Sequence, residues 1–208
     1  MSKMRIAAAA LMLGAFAAPV VAQSSGGKGF GSDSFRFFKA VRDKDGPAAQ
    51  ALIGQPGSTL VNQRDYDSGD YALHVVTRRR DTPWMSLLIG RGANIDAKDK
   101  AGNTALILAA ELGFVDGVQL LLARKANADA TNNSGETPLI KAVQARDANS
   151  ARLLLAAGAN PDRSDSIAGR SAREYAEQDR RAGMIVRLMK DADEKKKAPT
   201  AAATKPSS

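Results

Sequence analysis

Apolar residues recur along this chain in short bursts spaced i, i+3, i+4, the spacing that lines one face of an α-helix. Two bursts in a row are followed by a polar stretch containing glycine, and the set repeats. Leu73, Val76 and Thr77 precede Met85, Leu88 and Ile89. Leu106, Ala109 and Ala110 precede Val118, Leu121 and Leu122, and Leu139, Ala142 and Val143 precede Ala151, Leu154 and Leu155. The register extends back to Phe37, Ala40, Val41 and Ala49, Leu52, Ile53, and forward to Ala176, then Ile185, Leu188 and Met189. Each unit is predicted to be a pair of short helices with one buried face apiece. In the last unit Arg173 and Glu177 stand on formerly apolar positions, as a terminal cap without a further neighbour requires.

The polar punctuation keeps the same period. Gly69, Gly102 and Gly135 are 33 residues apart, and Gly169 follows after 34. These glycines sit at the tips of the connecting turns, where a positive φ is needed. Thr104 and Thr137 stand just before their helices, where a hydroxyl accepts an orphan N–H. Pro138 takes the first helical position, where its missing N–H costs nothing. Gly92 and Gly158 follow second helices and Gly113 a first helix, as left-handed terminators. Lys125, Arg80 and Arg146 occupy the same places in other units, where a side chain in the left-handed conformation costs about 1 kcal/mol. The first unit carries an insertion, Gly54-Gln55-Pro56-Gly57-Ser58, and Tyr71 stands where later units have Thr.

With Gly-Asn-Thr-Ala-Leu at 102–106, Gly-Glu-Thr-Pro-Leu at 135–139 and Gly-Ala-Asn-x-Asp at 92–96 and 158–162, the chain resembles the ankyrin repeat. The resemblance covers about residues 35–190. It implies an all-α solenoid of stacked helix-turn-helix units with projecting turn or hairpin tips. The units are 35–66 (a degenerate cap), 67–99, 100–132, 133–165 and 166–190 (the C-terminal cap). It also implies a non-catalytic, monomeric module that holds a partner protein through its tips and its concave inner-helix face. Position by position, the tips are 64–70, 98–103 and 131–136. The partner-binding candidates are then Arg78, Arg79, Lys98, Lys100, Asn103, Glu111, Leu112, Asn133, Glu136 and Gln144, with Leu112 as an exposed apolar anchor. The repeat frame is assigned to Gly69, His74, Gly102, Thr104, Gly135, Thr137 and Pro138. His74 matches the family's histidine, which ties neighbouring turns together.

The ends read differently. Lys3 and Arg5, the uncharged run 6–18 and the small residues before Gln23 form the pattern of a secretory signal cleaved after Ala22. That apolar run is too short to span a bilayer. Its style is bacterial, so the expected location is the periplasm, with no integral membrane segment after cleavage. Residues 23–34 read as a flexible linker and 191–208 as a disordered Lys-, Ala- and Pro-rich tail.

Composition narrows the chemistry. The 208 residues contain no cysteine and one histidine, which leaves no thiolate site, no disulfide and no histidine pair for a metal or triad. No cofactor, metal or catalytic residue is assigned, and the chain is read as no enzyme. The net charge of +8 falls to about +6 without Lys3 and Arg5. Without aromatic interleaving or a recognised module this does not indicate nucleic acid. It does keep open an envelope protein holding anionic polymer, or an accessory subunit of an envelope enzyme. Arg78 and Arg79, at the end of an inner helix, read first as a solvated helix end with cations at its negative terminus, and as the alternative they are available to carboxylates of a partner.

Overall fold

The computed structural model describes residues 32–202, with side chains described as far as Lys197. Ten α-helices follow in pairs: α1 (Asp33–Asp43) with α2 (Gly46–Ile53), α3 (Ala72–Arg78) with α4 (Thr82–Gly90), and α5 (Ala105–Glu111) with α6 (Val115–Ala123). Then come α7 (Pro138–Gln144) with α8 (Ala148–Ala156), and α9 (Ala172–Gln178) with α10 (Gly183–Ala202). The first helices of the pairs pack in one row, α1, α3, α5, α7, α9, while α4, α6, α8 and α10 form a second row behind. The fold is an all-α repeat solenoid, and the described residues contain no strand beyond two isolated antiparallel bridges, Arg64–Tyr71 and Ser164–Ser171.

The helices start where short polar side chains can accept N–H groups. Thr104 accepts from Ile107 N–H at 3.3 Å and Thr137 from Ile140 N–H at 3.2 Å. Second helices use aspartate: Asp45 accepts from Ala48 N–H at 2.9 Å, Asp81 from Trp84 N–H at 3.2 Å, and Asp147 from Asn149 and Ser150. Ahead of each stands a left-handed residue ending the first helix, Lys44, Arg80 or Arg146, and Gly113 takes that place ahead of Phe114, which opens α6 without a side-chain cap bond. Lys125 takes the left-handed place after α6, and Lys44 extends the set beyond the three non-glycine corners anticipated above.

One contiguous core runs through the stack, from Phe37 and Phe38, whose rings meet edge to face at 5.5 Å, to Ile185 and Met189. The one-face reading of the inner helices is too narrow. All of Ala105 to Ala110 is buried, because α5 has α3 on one side, α7 on the other and α6 behind.

Both ends of the domain are longer than the expected bounds. Ser32 caps α1, which begins at Asp33 inside the segment read as linker. Helix α10 runs through Ala202, so the Lys195–Lys197 run lies on a helix rather than in a tail. Ala192 packs against the core and Asp193 accepts from Arg173 at 2.9 Å, which fixes this extension to the stack. Asp191 and Asp193 also precede Lys195 and Lys197 by four residues, the favourable order for acid and base on a helix.

Three of the tip glycines, Gly69, Gly102 and Gly135, meet two demands at once. Gly102 has a φ of +79°, and a Cβ there would lie 2.3 Å from Asn133 Oδ1 and 2.6 Å from the Asn133 backbone nitrogen. Gly92, at +84°, has open space around it. Gly92→Ala is therefore expected to cost about 1 kcal/mol of left-handed strain. Gly102→Ala should lose that amount plus about 1–3 kcal/mol from overpacking the next tip. Urea unfolding of the two variants side by side tests the difference, and equal losses would show that tip-to-tip contact adds nothing.

Candidate protein-interaction surface

The tips form a hydrogen-bonded edge. Inside each tip a short polar side chain closes the turn. Asp99 Oδ1 accepts from Ala101 N–H at 2.9 Å and Asn103 N–H at 2.8 Å, and Asn132 Oδ1 accepts from Ser134 and Glu136 at 3.0 and 2.9 Å. Between tips, Lys100 donates to the Asp67 carbonyl at 3.0 Å, Asn133 donates to the Lys100 carbonyl at 3.0 Å, and Lys98 donates to the Thr131 carbonyl at 2.6 Å. Ser166 N–H reaches the Ser134 carbonyl at 2.8 Å. Lysines expected to face a partner thus bind backbone of the adjacent tip. Their carbonyl targets lie 33 residues away in sequence, one full period.

His74 is fully buried and works in both directions. Its Nδ1 reaches back to accept the Tyr71 N–H, just ahead of its own helix, at 3.3 Å, and its Nε2–H donates to the Asn103 carbonyl at 2.9 Å. That arrangement is the neutral ring. Burial lowers its pKa below the ordinary imidazole value. The Asn103 bond and the nearby carboxylates of Asp99 and Asp70 oppose the shift without reversing it, while the Arg78 cation adds to it.

Charges on the inner-helix face are paired within the chain. Arg78 bonds Asp99 at 3.0 Å and Asp70 at 3.4 Å. Burial works against ionisation of Asp99, but hydrogen bonds from Asn103 and Arg78 hold its carboxyl below the usual range. Glu136 behaves likewise: burial raises its pKa, and donors from Lys141 at 2.7 Å, Asn132 at 2.9 Å and Gln144 at 3.3 Å outweigh that. Glu111 is more exposed and stands 3.6 Å from Lys141.

Two expectations are corrected here. Arg79 is not available to a partner. It donates to the carbonyls of Val41 and Arg42 at the end of α1, pairs with Asp81 at 3.3 Å and lies over the Trp84 ring at 5.7 Å. The last carbonyls of α1 have no partner in their own helix and carry the negative end of its dipole, so a neighbouring guanidinium is drawn there. Charge reversal at Arg78 or Arg79 would accordingly disturb the stack itself. Leu112 is half-buried and packs against the core, and its carbonyl accepts from Arg80. It is no exposed anchor.

The sequence matches the family model described as ankyrin repeats in three copies over residues 37–132, and again over 85–165. The chain belongs to the ankyrin-repeat family. Ankyrin repeats generally mediate protein–protein interaction and are typically non-catalytic.

Within this ankyrin stack, the exposed apolar side chains on the edge are Tyr66, 96% exposed, and Ile167, 79% exposed. They sit on the first and last tips, each one residue longer than the two between. The closing bonds are Asp65 N–H to the Asp70 carbonyl and Asp165 N–H to the Arg170 carbonyl, against Asp99 to Asn103 and Asn132 to Glu136. Tyr66 lay inside a tip named from sequence but was not singled out, and Ile167 was missed. The 34-residue step from Gly135 to Gly169 was the signal for the longer last tip.

The unfolded chain takes up a proton at histidine near pH 6.5, whereas folded His74 resists it. Stability from this residue is complete above that value and declines as pH falls through it. Thermal melts between pH 7.5 and 5 should show that decline, and His74→Gln, whose amide can accept and donate at the same two places, should flatten it. An unchanged slope in the variant would assign the decline to other groups.

Proposed function

We propose that this ankyrin-repeat protein is a non-catalytic binding module that holds a partner protein along the tip edge between Tyr66 and Ile167. The observation that carries the proposal is the pairing of two exposed apolar residues at the ends of an edge that is otherwise polar and internally hydrogen-bonded. Three tip-to-tip steps separate them, on the order of 30 Å at helix-packing spacing. An edge tied by inter-repeat bonds holds both residues at fixed separation, so little freedom is lost when a partner docks.

Anionic polymer is less well supported on this face, because Arg78, Arg79, Lys98 and Lys100 already bond to carboxylates or carbonyls of the chain. For location, the proposal is export to a bacterial periplasm, resting on the leader-like pattern of residues 1–22, which lie outside the described residues. Among the described residues no helix is long and apolar enough to cross a membrane.

A photo-crosslinking side chain at position 66 and one at position 167 should trap the same partner, and one at Gln119, exposed on α6, should not. The combined Tyr66→Ala and Ile167→Ala variant should bind that partner about tenfold or more weakly, as loss of apolar anchors does, with an unchanged melting temperature. Equal capture at all three positions, or full binding by the double variant, would remove the edge from consideration.

A further inference from the structure

On the second row of helices lies a groove of about 640 Å³ between α8 and the later part of α10. Its floor is apolar: Leu155 and Ala156 from α8, Leu188 and Ala192 from α10. Its rim is cationic, with Arg152 on one wall and Lys195 and Lys196 on the other, against one acid, Asp191. The spacing explains the shape. Arg152, Leu155 and Ala156 fall at i, i+3, i+4 on α8, and Leu188, Ala192, Lys195 and Lys196 at i, i+4, i+7, i+8 on α10, so each helix turns one mixed face to the groove. α10 has 20 residues where α8 has 9, and its extra length supplies the two lysines.

These cations differ from those of the front. Arg78, Arg146 and Arg173 are all bonded to carboxylates of the chain. Among the described residues Arg152, Lys195 and Lys196 have no ion pair and donate no hydrogen bond. A ligand matched to this surface brings carboxylates as well as an apolar group. A small anionic amphiphile would need most of its surface enclosed, and this groove is open to solvent along one side. A peptide helix covers its own backbone and needs only one face received.

We propose that the α8–α10 groove receives an acidic amphipathic helix of a partner protein. Its apolar side chains rest on Leu155, Ala156, Leu188 and Ala192. Its carboxylates meet Arg152, whose planar fork suits them, and the two lysines. The surface is separate from the tip edge, so it stands or falls independently of the function proposed above.

The test uses the full chain and a fluorescein-labelled 15-residue peptide with Leu at helical i, i+3, i+4, i+7 positions and Glu elsewhere. Fluorescence anisotropy should show saturable binding to the native protein, weakened about tenfold or more by Arg152→Glu with Lys195→Glu and Lys196→Glu. Ala156→Arg, which fills the exposed floor while keeping positive charge, should weaken it comparably. Tyr66→Ala with Ile167→Ala should leave it unchanged. Should the triple variant melt early, Ala156→Arg decides alone. Equal binding of a Lys-for-Glu peptide, absence of saturable binding, or binding that survives Ala156→Arg would each overturn the proposal. So would uptake of oleate or phosphatidylglycerol vesicles in place of the peptide.

Discussion

No repeat in this chain can cover its own inner helix. A helix of seven residues such as α5 exposes apolar surface in every direction, and burial of all its positions from Ala105 to Ala110 requires a neighbour on each side and a partner behind. Short helices of this length are not stable alone, since nucleation costs more than two turns of hydrogen bonding return. Packing between repeats is therefore what makes each repeat helical, and the 33-residue period is the sequence record of that need. The small side chains serve it: alanine at 105, 109 and 110 lets adjacent helices approach closely where leucine at 106, 121, 139 and 154 fills the space between.

Polar groups obey the same constraint. Turn tips pressed together must satisfy their backbone groups with one another, and they recruit the nearest side chains to do so. Lys98, Lys100 and Asn133 answer carbonyls one period away, while Arg78 and Lys141 answer carboxylates that packing has partly desolvated. What remains for recognition is the remainder: apolar residues on the two lengthened tips, and cations on the back that form no ion pair among the described residues.

Much of the frame was legible in the sequence because it is encoded locally. Helix faces, threonine caps and left-handed corners each depend on residues within one turn of each other, and repetition multiplied every signal. The interaction surface was harder to read. Arg79 has its partners at Val41 and Arg42, nearly forty residues earlier, and Arg78 one of its at Asp99, so charge composition alone presented them as free. Ile107 and Ile140 lay off the counted helical face, and nothing short of the stacked neighbours marks them as buried. The long α10 was hidden by a composition that also suits a tail, and only the contacts of Ala192 and Asp193 separate the two.

The left-handed corners at Arg80 and Arg146 carry a further consequence. Each holds a strained backbone, and each sends its side chain across to the next repeat, to the Leu112 carbonyl and to Asp179. If the next repeat melts, the cross-link is lost while the strain stays, so the corner left behind is poorer than before. Loss of order should then travel as a front along the array, and the three central repeats should exchange their amide hydrogens at nearly one common rate.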